Sequence, residues 1–176
     1  MCWSGEASAV LATIGIATTV YAAYKKEDPR LYLALGYFSA MELLQAFTYS
    51  VIDQCALPSN QIATILGYLH ITFQPFFINL ISMYFIPNVI RKKIEWPVYT
   101  LCFISAVVML LQLYPFEWAG QCELGRNMCA EQLCSVSGDW HIAWDVPTNG
   151  MLNFITVESW AQFLSLYPTY FFVGIL

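Results

Sequence analysis

Long apolar runs separated by short polar breaks dominate the chain. Five runs approach the length that crosses a hydrocarbon core, which takes about 20 helical residues. The pattern predicts an all-α integral membrane bundle of about five transmembrane helices, forming a single domain over residues 1–176. Since the last run extends to Leu176, a further helix beyond it is compatible with the pattern. The runs are Ala7–Tyr24, Leu31–Ile52, Gln61–Phe85, Pro97–Tyr114 and Met151–Leu176.

Composition supports the membrane prediction. The chain is 59% hydrophobic and 11% charged, against about 25% charged in ordinary soluble domains, and its mean hydropathy is +0.57. Because so few charged residues cannot cover the surface of a soluble protein, we expect membrane lipids to surround this one. The net charge of −5 disfavours nucleic acid, which requires clustered lysine and arginine. The sequence pattern does not indicate an oligomeric state.

The distribution of basic residues predicts the orientation. Cytoplasmic loops of membrane proteins are enriched in lysine and arginine, which places loops 25–30 and 86–96 in the cytoplasm. The N-terminus and the outer loop 115–150 then lie outside, with Arg126 as the one exception. Six of the seven basic residues agree: Lys25, Lys26, Arg30, Arg91, Lys92 and Lys93.

Five cysteines fall on the predicted outer side, and Cys102 lies within the fourth run. Disulfides persist in an oxidising compartment, so two bridges among four of the outer cysteines would leave Cys2 free. Spacing does not decide the pairing, and it does not match common zinc knuckles. The disulfide candidates are Cys55, Cys122, Cys129 and Cys134.

Three predicted helices carry pairs of polar residues three or four positions apart, which places each pair on one helix face. At a rise of about 1.5 Å per residue, the ionisable members lie roughly 12–15 Å below the outer ends of their helices. Ionisable groups at that depth are costly and face the bundle interior, so a shared buried polar site is predicted. The pairs are Glu42 with Gln45, His70 with Gln74, and Glu158 with Gln162.

Pro75 lies one turn after His70 and cannot donate a hydrogen bond to the Ile71 carbonyl. The helix is therefore expected to open beside the site. The alternative interpretation is that these polar side chains bond only to one another and tie the helices together, as is common in membrane bundles.

The segment "CSVSGDWHIAWDVPTNG" in the outer loop carries the second histidine of the chain. We predict a short interfacial helix over "DWHIAWD", in which His141 and Asp145 share one face and the carboxylate orients the imidazole. The tryptophans would hold the helix at the headgroup level. The alternative is an interfacial helix without chemistry.

The opening "MCWSGEA" puts Cys2 on the outer side, near the same site. Removal of Met1 would leave a free amine and a thiol on one residue, a pair that binds metals or acts as a nucleophile. The alternative is a retained Met1 and an inert cysteine at a helix start.

Four stretches, "MCWSGEAS", "FSAMELLQAFTYSVIDQC", "GYLHITFQPFFINLISMYFIP" and "CSVSGDWHIAWDVPTNG", resemble a family of bacterial and fungal polytopic membrane proteins that open Met-Cys-(Trp/Phe)-Ser and have no known function. The resemblance covers most of the chain. It implies membrane embedding but no activity, cofactor or catalytic residue.

The functional hypothesis is therefore an outward-open site that binds Zn²⁺ or another divalent transition metal, with His70, His141, Cys2 and Asp145 as metal ligands. Glu42 or Glu158 would serve as the base if the protein hydrolyses a lipid or another membrane-soluble small molecule. Gln45, Gln74 and Gln162 would support these groups. One alternative is a transporter or carrier of a metal ion or proton, and another is a membrane binding or sensory protein. No strong catalytic motif is present.

Overall fold

The computed structural model describes residues 4–122, 129–138 and 141–151. This part contains four long helices and, at one end, a two-stranded antiparallel hairpin. Each helix packs on the next one along the chain, and the hairpin packs on the third. The helices are α1 (Gly5–Tyr24), α2 (Pro29–Val51), α3 (Pro58–Phe85) and α4 (Asn88–Leu111), and the strands are β1 (Cys134–Ser137) and β2 (Ile142–Asp145).

Local sequence explains where the first three helices begin. The Ser4 side chain accepts a hydrogen bond from the Ala7 amide at 3.2 Å, and Asp28 accepts one from the Arg30 amide at 2.9 Å. Both are N-cap interactions that satisfy free amides at the helix start. Pro29 and Pro58 occupy first helical positions, where the missing amide hydrogen costs nothing.

Three helices, α1, α3 and α4, are long and apolar enough to span a membrane, which is compatible with a membrane protein. The predicted count of about five spans is not supported. The second run is helical, but α2 falls outside this group because it carries polar residues such as Ser39, Gln45 and Thr48. The fifth run, from residue 152 onward, lies outside the described residues.

The prediction that residues 86–96 form a loop is wrong. Helix α4 begins at Asn88, and Pro97 lies inside it. Arginine and lysine are good helix formers, so a helix can extend past its apolar part into a charged first turn. The basic residues Arg91, Lys92 and Lys93 therefore lie on α4 and not in a connection.

Close approach of α1 and α2 depends on small residues. A methyl group on Gly15 would overlap the Ser39 hydroxyl, and one on Gly36 would lie 3.3 Å from the Thr19 methyl. Small residues at such positions let helix backbones pack closely. The opposite face of α1 remains exposed and apolar, including Val10, Ile14, Val20 and others.

The end of the bundle opposite the hairpin is rich in bases and is called the basic end. It holds the α1–α2 connection and the start of α4, which are joined by an ion pair between Arg30 and Glu95 at 3.3 Å. Next to it lies an apolar cluster of α3 and α4 residues, called the apolar plug. Its members are Met83, Val98 and Cys102, packed against Phe76, Ile86, Ile94 and Tyr99.

The predicted interfacial helix in the outer loop is wrong, since the segment forms a β-hairpin. Ser135 pairs with Trp144 and Ser137 with Ile142 across the strands, and the Gly138 amide donates to the His141 carbonyl at 3.0 Å. In a strand, successive side chains alternate between faces. Trp144 therefore shares a face with Ile142.

Candidate functional site

The hairpin is fixed to α3 through Asn60, which is fully buried. Its side-chain nitrogen donates to the carbonyls of Val51 and Ser135 at 2.8 and 3.0 Å, while its oxygen accepts the Ser135 amide at 2.9 Å. The Ser135 hydroxyl lies 2.8 Å from that of Thr64. Buried polar groups must be paired in this way, so the position of β1 on α3 is specified by hydrogen bonds.

Two disulfides stabilise the same end, as the sequence predicts. Cys55 in the α2–α3 connection bonds Cys134 in β1, and Cys122 bonds Cys129. The first joins cysteines that are 79 positions apart in the sequence, and the second joins cysteines that are only 7 positions apart. Cys102 is a free, buried cysteine, and Cys2 lies outside the described residues.

Asp53 extends the contact between the α2–α3 connection and the hairpin. Its carboxylate accepts hydrogen bonds from the Ser137 amide at 2.8 Å and the Ser137 hydroxyl at 2.6 Å. These bonds favour the ionised form and lower the pKa of Asp53 below its ordinary value of 3.8. The Asp53 amide donates to the Ser135 carbonyl at 3.0 Å, so the main chain and the side chain of Asp53 both bond to β1.

Trp144 of β2 packs on the surface of α3 where a glycine leaves room. A methyl group on Gly67 would come within 3.0 Å of the indole nitrogen and 3.3 Å of the ring carbon Cε2. Gly67 lies three residues before His70, so both face the same side of α3. The indole therefore covers the helix about one turn from His70, on the hairpin side.

His70 is held by an aromatic residue of the neighbouring helix. The Tyr37 ring of α2 lies between His70 and Phe77, with ring centroids 3.7 Å from each and interplanar angles of 20° and 9°. Its hydroxyl donates to the His70 carbonyl. His70 and Phe77 are seven residues apart on one face of α3, so the Tyr37 ring fits between their side chains. This stacking fixes the plane of the imidazole.

The Nε2 atom of His70 is buried and has no hydrogen-bond partner within the part of the chain that the structure describes. His70 is the thirteenth residue of α3, about 18 Å from the start of the helix and near the middle of its 28 residues. A buried polar atom without a partner is costly and calls for an explanation such as an additional ligand. Pro75, one turn further on, is buried inside α3, and the helix continues past it to Phe85 without the expected break.

Several polar side chains near and beyond His70 bond to the backbone of α3 itself. Thr72 donates to the Tyr68 carbonyl at 2.9 Å and Ser82 to that of Ile78 at 2.8 Å. Asn79 donates to the Pro75 carbonyl at 2.9 Å. Such bonds to the backbone one turn back are common in membrane helices, and the Asn79 amide also lies 3.7 Å from Cys102 Sγ on α4. Below this level lies the apolar plug.

The structure describes some of the remaining predicted site residues and not others. Gln45 is buried on α2, and Glu42 and Gln74 are half-buried. His141 is exposed, with Nδ1 2.8 Å from the Ile142 carbonyl, and Asp145 lies opposite Cys134. The expected helical pairing of His141 with Asp145 is therefore wrong. Cys2, Glu158 and Gln162 lie outside the described residues.

Metal-ligand residues do not cluster in the described ranges. Within residues 4–122, 129–138 and 141–151, no group of three or more histidine, cysteine, aspartate or glutamate side chains could hold a metal ion. His70 is the predicted ligand with a buried, uncommitted nitrogen. A metal at His70 would need further ligands from outside these ranges, where the predicted ligand Cys2 and the predicted base Glu158 lie.

Sequence reasoning missed Tyr37 and Asn60. Nothing in the chain marks Tyr37 as the neighbour of His70, because the pairing depends on how α2 packs against α3. Asn60 follows Pro58 at a helix start, a position that is usually exposed. The contact of Trp144 with Gly67 was also missed, because the sequence was interpreted as an interfacial helix and not as a strand.

One family profile matches residues 6–176, and its description is a family of unknown function (DUF5765). No curated protein and no solved structure matches the chain.

Proposed function

The chain belongs to the family of unknown function DUF5765, and from its geometry we propose that it is a multi-pass membrane protein with a ligand-binding site at His70. In this proposal the basic end lies in the cytoplasm and the hairpin end outside, as the enrichment of bases predicts. The disulfides fit this orientation, since they persist in oxidising compartments.

The observation that carries the proposal is the buried Nε2 of His70. An ionisable side chain in the middle of an apolar helix is costly and is retained for function or for a partner. The Tyr37 ring stacks on the imidazole and fixes its plane. The Tyr37 hydroxyl donates to the His70 carbonyl and not to Nε2. The ring is thus oriented while the nitrogen stays available.

We propose a divalent transition metal, Zn²⁺ first, as the ligand. Imidazole nitrogen is a common ligand for these ions, and carboxylates complete many sites. Glu158 of the fifth run and Glu42 are the proposed further ligands. Hydrolysis of a lipid or another membrane-soluble molecule is a further proposal, which requires that the metal activates water and that a carboxylate accepts its proton.

The apolar plug favours a dead-ended site over a transport path. A conduit for ions needs polar groups that continue across the bilayer, whereas Met83, Val98 and Cys102 pack together between His70 and the basic end. The α3 hydroxyls near this level bond to their own helix. Access to His70 is therefore proposed from the hairpin side, past Trp144.

Elemental analysis of the purified full-length chain, never exposed to chelator, tests the metal proposal. We expect about one equivalent of a transition metal in the unmodified protein and a loss of at least about tenfold in His70→Ala, since the ligand set loses its imidazole. Less than about a tenth of an equivalent in the unmodified protein would end the metal proposal.

Two matched variants separate metal binding from folding. His141→Ala removes the exposed histidine of the hairpin and is expected to keep the metal. Tyr37→Phe keeps the stacked ring but removes the hydroxyl that donates to the His70 carbonyl, and it is also expected to keep the metal. Loss in both would show that the effect is general and not specific to Nε2.

A further inference from the structure

A cleft of about 340 Å³ opens at the hairpin end, away from His70. It lies directly after α4, which ends at Leu111, and is bounded by residues 113–115, 120–122, 130–131 and 147–149. Both polar and apolar atoms line it. The volume is that of a small-molecule site, about the size of a lipid headgroup.

Hydrogen bonds from the Asn149 side chain and from main-chain amides fix the walls of the cleft. Asn149 donates from its amide to the Gln112 carbonyl at 2.8 Å and from its side chain to the Leu111 and Tyr114 carbonyls at 2.7 Å each. The Cys122 amide donates to the Thr148 carbonyl at 3.3 Å, and Cys122 is also in a disulfide. A preformed site of this kind avoids the entropy cost of ordering its walls on binding.

Aromatic side chains mark the level of the cleft in the membrane. Tyr114, Phe116 and Trp118 form a continuous row, with neighbouring ring centroids 4.7 and 5.5 Å apart. Tyr114 and Trp118 are 61% and 71% exposed. Exposed tyrosine and tryptophan at a helix end are typical of the headgroup region.

The charge of the lining points to a cationic ligand. Glu131 and Tyr114 are among the lining residues, and the described lining residues include neither lysine nor arginine. A carboxylate together with an aromatic face is the chemistry that binds organic ammonium groups. An anionic headgroup would instead meet the negative charge of Glu131.

We propose that this cleft binds the ammonium headgroup of a phospholipid from the outer leaflet, with Glu131 and Tyr114 contacting the ammonium. The cleft faces the headgroup level only if the chain is embedded as in the proposed function. Binding of a lipid in the cleft does not depend on ligand binding at His70. The proposed occupant is a phospholipid that carries ethanolamine or choline.

The test is native mass spectrometry of the full-length protein in detergent, titrated with phosphatidylethanolamine or phosphatidylglycerol of matched acyl chains. We expect tighter binding of phosphatidylethanolamine, with Glu131→Gln and Tyr114→Ala each weakening it about five- to tenfold. Glu117→Gln is the control, since Glu117 is exposed in the same loop but does not line the cleft, and it is expected to retain full affinity.

Equal binding of the two lipids, or equal weakening by Glu131→Gln and Glu117→Gln, would overturn the proposal. Soluble phosphoethanolamine is titrated in parallel, and binding of this probe alone without the lipid would overturn the lipid assignment. His70→Ala should leave lipid preference unchanged. Loss of metal binding with retained lipid preference would thus separate failure of the His70 site from failure of the cleft.

Discussion

The indole of Trp144 packs against Gly67 so closely that a methyl group on this glycine would lie 3.0 Å from the indole nitrogen. This contact joins the hairpin to the part of α3 that carries His70. It also makes Gly67 a position where a side chain and a seated hairpin compete for the same space.

Gly67→Leu should displace Trp144 and loosen the hairpin. Overpacking of a tight contact costs about 1–3 kcal/mol, which corresponds to a rise in hairpin opening of about five- to 150-fold. Hydrogen–deuterium exchange of the β1 and β2 amides measures this opening. Leu66→Ala is the control, because Leu66 is 47% exposed and adjacent in sequence. Unchanged exchange in Gly67→Leu would contradict the seating of Trp144.

Removing the two disulfides should have unequal effects. The chain-entropy estimate gives about 4.5 kcal/mol for the Cys55–Cys134 bridge, which closes 79 residues, and about 2.4 kcal/mol for the 7-residue Cys122–Cys129 bridge. Thermal unfolding of the two double serine variants in the same detergent measures the difference. A larger loss of stability in the Cys122→Ser, Cys129→Ser variant would contradict this account.

Acid should loosen the contact between Asp53 and the hairpin. The hydrogen bonds from Ser137 lower the pKa of Asp53 below 3.8, so their stabilising effect is complete above this value and is lost as the pH falls through the lower pKa of the folded state. Asp53→Asn is the matched variant because asparagine tolerates the left-handed backbone of this position, φ 63°.

The measurement compares exchange of the Ser137 amide in the two proteins at each pH. We expect slower exchange in the unmodified protein near pH 6 and equal exchange once the pH has fallen below the lowered pKa of Asp53, where both side chains are neutral. A difference that persists unchanged to low pH would mean that the carboxylate charge is not the cause.

Single cysteine substitutions test the proposed orientation. In a Cys2→Ser background, which removes the predicted free outer thiol, Lys92→Cys at the basic end should be protected from a membrane-impermeant thiol reagent in intact cells, and Glu117→Cys at the hairpin end should be labelled. Both positions are exposed, so accessibility within the fold does not separate them. Labelling of Lys92→Cys without permeabilisation would reverse the orientation.

Apolar runs predicted the first three helices to within a few residues, because a long helix with an apolar surface has a strong sequence pattern. The start of α4 was missed because Arg91, Lys92 and Lys93 resemble a loop by charge, although they are good helix formers. The participation of four cysteines in disulfides was predictable, but their pairing was not, since it depends on which loops the bundle brings together.

The hairpin was missed because a helix and a strand are hard to distinguish in so short a segment. Val136 and Ile142 flank Gly138, and β-branched residues around a glycine turn are a hairpin signal. The decisive contacts, from Asn60 and Asp53, come from more than 70 residues away. Likewise, the stacking of His70 on Tyr37 depends on how α2 packs against α3 and could not be predicted from the sequence.

The most direct test of the His70 proposal is an experimental density map of the full-length protein in a lipid disc, prepared without chelator and resolving the fifth run. We predict non-protein density about 2.0–2.1 Å from Nε2 of His70, the distance of a metal–imidazole bond, with a carboxylate on its other side. A direct hydrogen bond from Nε2 to a protein side chain, with no additional density, would show that His70 is structural and would contradict the proposed site.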